Sequence, residues 1–272
     1  MIKLCTIDLD GTLFDNQKNI SKANIEAIKQ AKINGAKIVI ATGRPIDGVY
    51  DVLDTLGLTT NEDYVICYNG AKILNVGKKE TIYEEVIYGS DVKKLYDFAK
   101  KKQYFFHAFT SSGKLLASEP NMYTDVECRI NHLNAEYIDF SKINDDDIFT
   151  KMMVVDDPER LNIFEKEIDS YFYTKYTMVR SSKIFLEFLN KNSDKGKALL
   201  MLAKYLNIKD DETMAIGDAG NDLSMILKAH VGVAMANAFK EVLDNANYIT
   251  TSNEDDGVAK AINKFINNKN KD

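Results

Sequence analysis

Residues 3–12, KLCTIDLDGT, decide how the rest of the chain is read: a short apolar run, Lys3–Ile7, ends in two carboxylates and a glycine. The run has the length and texture of a buried strand. A helical pattern begins beyond Ser21, carries Ile25, Ile28 and Ala31 at helical spacing, and stops at Gly35. KIVIA, Lys37–Ala41, is then continuously apolar and β-branched, as a strand buried on both faces should be. Strand, helix and strand in that order form a βαβ unit. A further helix is expected after Pro45, and YVICY, Tyr64–Tyr68, supplies another buried strand before the turn signal Asn69-Gly70.

From Thr81 to Arg180 the texture changes. QYFFHAFT is aromatic, SSGK marks an antiparallel hairpin, helical patterns follow Ser90 and Pro158, and KMMVV and YTMVR read as strands. Alternating α/β texture then returns: a helix expected from Asp194, the strand TMAIG, a helix from Asp222, the strand VGVAM and a last helix after Gly257. The prediction is an α/β fold, a doubly wound, mostly parallel, Rossmann-like sheet built from residues 1–80 and 184–272 and interrupted by an inserted α+β domain at 81–183. The tail NKFINNKNKD reads as a fraying terminus.

Composition narrows the function classes. The 272 residues are 45% hydrophobic and 28% charged, ordinary globular usage sufficient for two cores. A formal net charge of -6 argues against a chain that lies along nucleic acid or an anionic membrane, so an anionic ligand must be attracted locally. The opening run is interrupted by Asp8 and Asp10 and does not read as a signal segment, and no run approaches membrane-spanning length. Cys5, Cys67 and Cys128 lie far apart without metal-ligand pairing and read as reduced packing residues. A cytoplasmic chain is expected.

In open α/β sheets ligands bind outside the carboxyl ends of the strands, and three strands here end in chemistry. They end at Asp8-Leu9-Asp10-Gly11-Thr12, at Thr42-Gly43-Arg44 and at Gly217-Asp218-Ala219-Gly220-Asn221-Asp222. Two residues apart on an extended segment, Asp8 and Asp10 are expected to point to one face. If the sheet is parallel, Asp218 and Asp222 join them at the same edge, and so much negative charge calls for a hard cation with oxygen ligands, Mg²⁺ above all. Asp8 is placed to attack phosphorus and Asp10 to move a proton, while Thr42 offers a hydroxyl and Gly43 an unhindered N–H. Turn and helix capping are the plainer readings of Asp8, Asp10 and Thr42. Lys195 stands at an expected helix start, where a cation and backbone N–H groups face an anion together; spacing alone separates it little from Lys197.

The strings TIDLDGTLF, VIATGR, SDKGKAL and AIGDAGND, in that order, resemble the four motifs of the haloacid dehalogenase superfamily. The insert between the second and third motifs, with CYNGA, FLEFL and GVAMANA, is similar to the Cof-type sugar-phosphatase branch. The resemblance implies Asp8 as nucleophile, Asp10 as general acid/base, and Thr42, Gly43, Lys195 and Asn221 around a phosphoryl group. It further implies Mg²⁺ on Asp8, Asp218 and the backbone carbonyl of Asp10, with Asp222 in support and Arg44 and Asn69 near the cleft entrance. The insert would then be a cap on a catalytic core.

The function so implied is a Mg²⁺-dependent phosphatase of small phosphorylated metabolites, sugar phosphates or cofactor and nucleotide phosphates, acting through an aspartyl-phosphate. A phosphomutase is the alternative among enzymes, and a non-enzymatic aspartyl-phosphate switch the alternative outside them; the insert and the second carboxylate favour turnover. His107, His132 and His230 are scattered, which disfavours a Ser-His-Asp hydrolase. The aromatic residues Tyr104, Phe105, Phe106 and Phe109 read either as core or as a platform for a ring-bearing substrate. The expected partner is a small-molecule phosphate ester, not nucleic acid or membrane, and the expected state a monomer or weak homo-oligomer.

Overall fold

A computed structural model describes residues 1–268; the last four residues of the expected fraying tail, 269–272, lie outside the described residues. The chain divides into two compact units. The first comprises Met1–Thr42, Tyr50–Tyr83 and the chain from Asp194 onward. Its sheet is made by β1 (Leu4–Ile7), β2 (Lys37–Ala41), β3 (Tyr64–Cys67), β4 (Lys72–Asn75) and β5 (Glu80–Glu84), joined by β13 (Thr213–Gly217), β14 (Val231–Ala234) and β15 (Tyr248–Ile249). The order is β15-β14-β13-β1-β2-β3-β4-β5. β1 is central, parallel to both neighbours, with Ile7 opposite Ile216 on one side and Ile40 on the other. That register brings the carboxyl ends of β13, β1 and β2 level.

Helices cover both faces of this sheet, which is why its strands read as continuous apolar runs. Ser21 Oγ accepts the Asn24 N–H at 3.1 Å and starts α1 (Lys22–Ile33), which packs with α10 (Gly257–Ile262). On the other face Leu4, Val39, Ile66 and Ala215 pack against α7 (Lys195–Tyr205) and α8 (Leu223–Lys228) through Ala198, Leu199, Leu202 and Met225. Each fully buried Leu or Ile in such a layer contributes about 1.5–3 kcal/mol. The helix expected after Pro45 is a 3₁₀ turn, Ile46–Val49, followed by α2 (Tyr50–Thr55), and α9 (Lys240–Asn245) separates β14 from β15.

The second unit comprises Gly43–Val49 and Glu84–Ser193. Its strands are β6 (Ile87–Tyr88), β7 (Phe105–Thr110), β8 (Leu115–Ala117), β9 (Ala135–Tyr137), β10 (Ile148–Val155), β11 (Tyr176–Ser182) and β12 (Phe185–Asn190). They run β11-β12-β10-β7-β8-β9, with β6 beside β10. One face carries an aromatic core in which Tyr104 and Phe106 pack with Tyr96, Phe140 and Phe164, on α3 (Gly89–Lys101) and its neighbours, so these rings are core. The opposite face is also buried and carries polar groups among apolar ones: His107 bonds Thr124 of α4 (Met122–Asn131) at 2.6 Å, and Lys151 pairs with Glu187 at 3.0 Å. α5 (Pro158–Glu167) and α6 (Ser170–Lys175) complete the unit.

The expected boundaries need correction. β5 lies beside β4 in the first sheet, so the insert begins at Glu84 and not at residue 81. FLEFL, assigned by a boundary at 184 to the core, forms β12 between β10 and β11 in the second sheet. Its Phe, Leu and Glu side chains are buried on both faces, so it carries the same apolar texture as a strand of the parallel sheet.

α7 can lie close on α8 only because residue 196 has no side chain: a Cβ there would stand 2.3 Å from the Ser224 carbonyl oxygen. The Gly196 N–H also donates to Ser224 Oγ at 3.0 Å. Gly196→Ala is therefore expected to lower stability by about 1–3 kcal/mol, the usual cost of overpacking. Equilibrium urea unfolding measures it, and an unchanged midpoint would show that the two helices are not in this contact.

Candidate active site

Asp8 prolongs β1 by one residue, its N–H donating to the Ile216 carbonyl at 3.0 Å, and its side chain is buried. The chain then turns through Leu9–Leu13, with Asp10 and Gly11 outside helical geometry. The expectation that Asp8 and Asp10 share a face rested on extended backbone, and the turn removes that premise. Asp10 is ion-paired with Lys18 at 2.6 Å, with 42% of its side chain exposed, while Asp8 lies in the interior. Thr12, in the same turn, donates its hydroxyl to Asp218 Oδ1 at 2.7 Å.

Lys195 is the first residue of α7, whose N-cap is Asp194. Its ammonium is buried and lies 2.6 Å from Asp8 Oδ1 and 2.6 Å from Asp222 Oδ1. Asp222 is fixed from its other side, Oδ2 accepting the N–H groups of Asp218 at 3.1 Å and Ala219 at 3.0 Å. Geometry thus separates Lys195 from Lys197, whose N–H instead satisfies the Asp194 side chain.

One carboxylate oxygen from each of Asp8, Asp218 and Asp222 can be chosen so that all lie within 4.8 Å of one another. Burial, and then the nearby Asp222 charge, push the Asp8 carboxyl up to about 8, and Lys195 only partly offsets them. Burial likewise raises Asp218 to about 6, against the Thr12 hydrogen bond. For Lys195 burial opposes the charge, but Asp222 and Asp8 outweigh it and hold the ammonium above its ordinary range. Three carboxylates against one ammonium leave an excess of buried negative charge, and a hard dication with oxygen ligands fits that deficit.

The segment after β3 has three successive residues with left-handed backbone, Tyr68 (φ 51), Asn69 (φ 54) and Gly70 (φ 92). For the two non-glycine residues such geometry costs roughly 1–3 kcal/mol each and persists only where the surroundings impose it. Three contacts do so. The Asn69 N–H donates to the Thr42 carbonyl at 2.9 Å, and Asn69 Oδ1 accepts from Asn221 Nδ2 at 3.0 Å. Gly70 lies against the start of α7, where a Cβ would come within 2.4 Å of the Asp194 carbonyl carbon.

Asp8, Asp218, Asp222 and Lys195 are thus gathered in one cluster, and Thr42, Asn69 and Asn221 are linked beside the start of α7. Gly43 and Arg44 fall in the second unit, where an Arg44 guanidinium N–H donates to the Gly48 carbonyl at 3.4 Å. Sequence reasoning missed Thr12, Lys18 and Asn237. Asn237 donates to the Gly11 carbonyl at 2.8 Å and accepts the Asn253 N–H at 3.0 Å, tying three loops together. Thr12 and Asn237 both sit inside motif strings, but nothing local to either predicts a partner so distant along the chain.

Comparison with known proteins identifies the family. The sequence profile of haloacid dehalogenase-like hydrolases matches residues 5–262. The putative phosphatase YxeH of Bacillus subtilis (strain 168) is 39% identical over 267 residues, which cover 98% of this chain and 99% of that protein. Among solved structures, a haloacid dehalogenase-like hydrolase from Bacteroides thetaiotaomicron superposes with a TM-score of 0.87 at 32% identity, covering 97% of this chain and 99% of the other. A subclass IIB sugar phosphatase of the superfamily superposes at 0.80 with 28% identity, covering 97% and 98%. A chain whose strand ends carry these residues, and which matches these proteins from end to end, belongs to the haloacid dehalogenase-like hydrolases, in their Cof-type branch, and is an enzyme of the phosphatase class.

Proposed function

We propose that this phosphatase hydrolyses small phosphorylated metabolites with the help of Mg²⁺ and by way of a phosphorylated Asp8. The observation that carries the reading is the shared ammonium of Lys195, which engages Asp8 Oδ1 and leaves Oδ2 as the oxygen for chemistry. Among the described residues no hydrogen bond reaches Asp8 Oδ2. Asp8, Asp218 and the Asp10 carbonyl are the groups to hold Mg²⁺, which when bound neutralises charge on the phosphoryl oxygens.

In the first step Asp8 Oδ2 bonds to phosphorus as the bond to the ester oxygen breaks, and Asp10, which must enter this step protonated and out of its ion pair with Lys18, gives that leaving oxygen a proton. Asp10 then takes a proton from water, whose oxygen bonds to phosphorus and releases inorganic phosphate and the Asp8 carboxylate. Lys195 neutralises charge throughout, and the Thr42 hydroxyl, the Gly43 N–H and Asn221 position the phosphoryl group. Asp222 acts by holding Lys195. Specificity is proposed to follow residues of the second unit, while changes in the Asp8 group affect every substrate alike.

Three outcomes are expected. Asp8→Asn keeps the shape and the contact to Lys195 but has no nucleophilic carboxylate, so phosphate release should fall by about a hundredfold or more, with the phosphorylated protein absent from intact-mass spectra; a residual rate above that level would remove Asp8 as nucleophile. Metal affinity should depend on pH, because the metal displaces protons from Asp8 near 8 and Asp218 near 6. Calorimetric Mg²⁺ affinity should therefore rise by up to about tenfold per pH unit between pH 6 and 8, with proton release, and level off above; a flat profile would contradict this. Finally, kcat/KM across metabolites, phosphopeptides and terminally phosphorylated oligonucleotides should favour metabolites, and a macromolecule ahead by more than about tenfold would sink the small-molecule assignment.

A further inference from the structure

The strained turn Tyr68–Asn69–Gly70 lies outside the chemistry above, yet it touches three of the groups assigned to the phosphoryl end of the substrate. Through its N–H, Asn69 holds the carbonyl of Thr42, and through its side-chain carbonyl it holds the amide of Asn221. Gly70, one residue on, packs against the peptide that joins Asp194 to Lys195. These three groups belong to the end of β2, the turn after β13 and the start of α7, and among the described residues no strand pairing joins these points. The turn supplies the link.

We propose that Asn69 is a positioning residue for phosphoryl binding, acting through Asn221 and Thr42 and not through contact with the substrate. The assignment rests on the phosphatase reading of the Asp8 group. Its physical basis is the left-handed backbone at residues 68 and 69. A connection needed only to join β3 to β4 has no reason to retain two strained non-glycine residues in succession, whereas one that must carry an amide to Asn221 and an N–H to Thr42 does. Asn tolerates this backbone better than other residues with a side-chain amide or a branched chain, because its short polar side chain suits left-handed geometry. The side chain also acts on Asp222 at one remove, since Asn221 and Asp222 share the 3₁₀ turn Gly220–Asp222, and Asp222 holds Lys195.

The test separates position from stability. Asn69→Gly permits the left-handed backbone, keeps its N–H and removes the side chain, and with it the carbonyl that accepts from Asn221. Its melting temperature should stay within about 3 °C of wild type, since the lost hydrogen bond is offset by relief at a strained position. Its kcat/KM for p-nitrophenyl phosphate, and its calorimetric affinity for inorganic phosphate in the presence of Mg²⁺, should each fall by about tenfold to a hundredfold. In a cycle with Asn221→Ala, the double variant should be no more than about twofold worse than Asn221→Ala alone, because the Asn69 side chain acts through Asn221. Unchanged phosphate affinity, fully additive losses, or a loss of affinity matched by a collapse of melting temperature would each overturn the proposal. Wild-type protein that binds phosphate but releases none from any ester would remove the phosphatase reading alone, and the phosphate-affinity comparison would still decide the role of Asn69.

Discussion

The ammonium of Lys195, shared by Asp8 and Asp222, is the interaction on which the site depends. All three side chains are buried, and each comes from a different element: the end of β1, the start of α7 and the turn after β13. Removing one partner of a buried ion pair costs about 3–5 kcal/mol, because the charge left behind has no water to turn to. The parallel register of β1 with β13, the close approach of α7 to α8 and the clamp on Asp222 by two backbone N–H groups all bear on where that ammonium sits. The same cluster remains short of positive charge, with Asp8 and Asp218 held above their ordinary range. A site in that condition can accept a cation.

Much of this was legible from the chain. KIVIA, YVICY and TMAIG read as strands, and each carries one that is buried, while Ser21 and Asp194 stand at the expected helix starts, where each accepts a backbone N–H of the first turn. The placement of candidate residues was legible where they follow a strand end, as at Asp8, Thr42 and Asp218. It was not legible where partners are set by tertiary approach. The pairs Thr12–Asp218 and Asn69–Asn221 depend on loops from opposite ends of the sequence, and Asp10 turned to Lys18 because the strand stops at Ile7. The boundary near FLEFL failed for a different reason. Antiparallel sheets usually leave one face wet, but β12 is covered on both, with a buried Glu187 answered by Lys151 on β10, so its composition matched the other sheet.

The central position of β1 has a consequence for the order in which the protein can fold. Thr6 and its partner Met214, whose carbonyl accepts the Thr6 hydroxyl at 3.4 Å, are 208 residues apart in sequence. A ribosome adds roughly 5–20 residues each second, so β1 waits on the order of tens of seconds for β13 to appear, with one edge of an apolar strand unpaired. The stretch Glu84–Ser193, by contrast, is continuous and contains almost the whole second unit. On the growing chain the second sheet therefore has its contacts available before β1 can meet β13. An unpaired apolar strand edge is what other chains can add to, so pairing with β13 also withdraws β1 from that hazard.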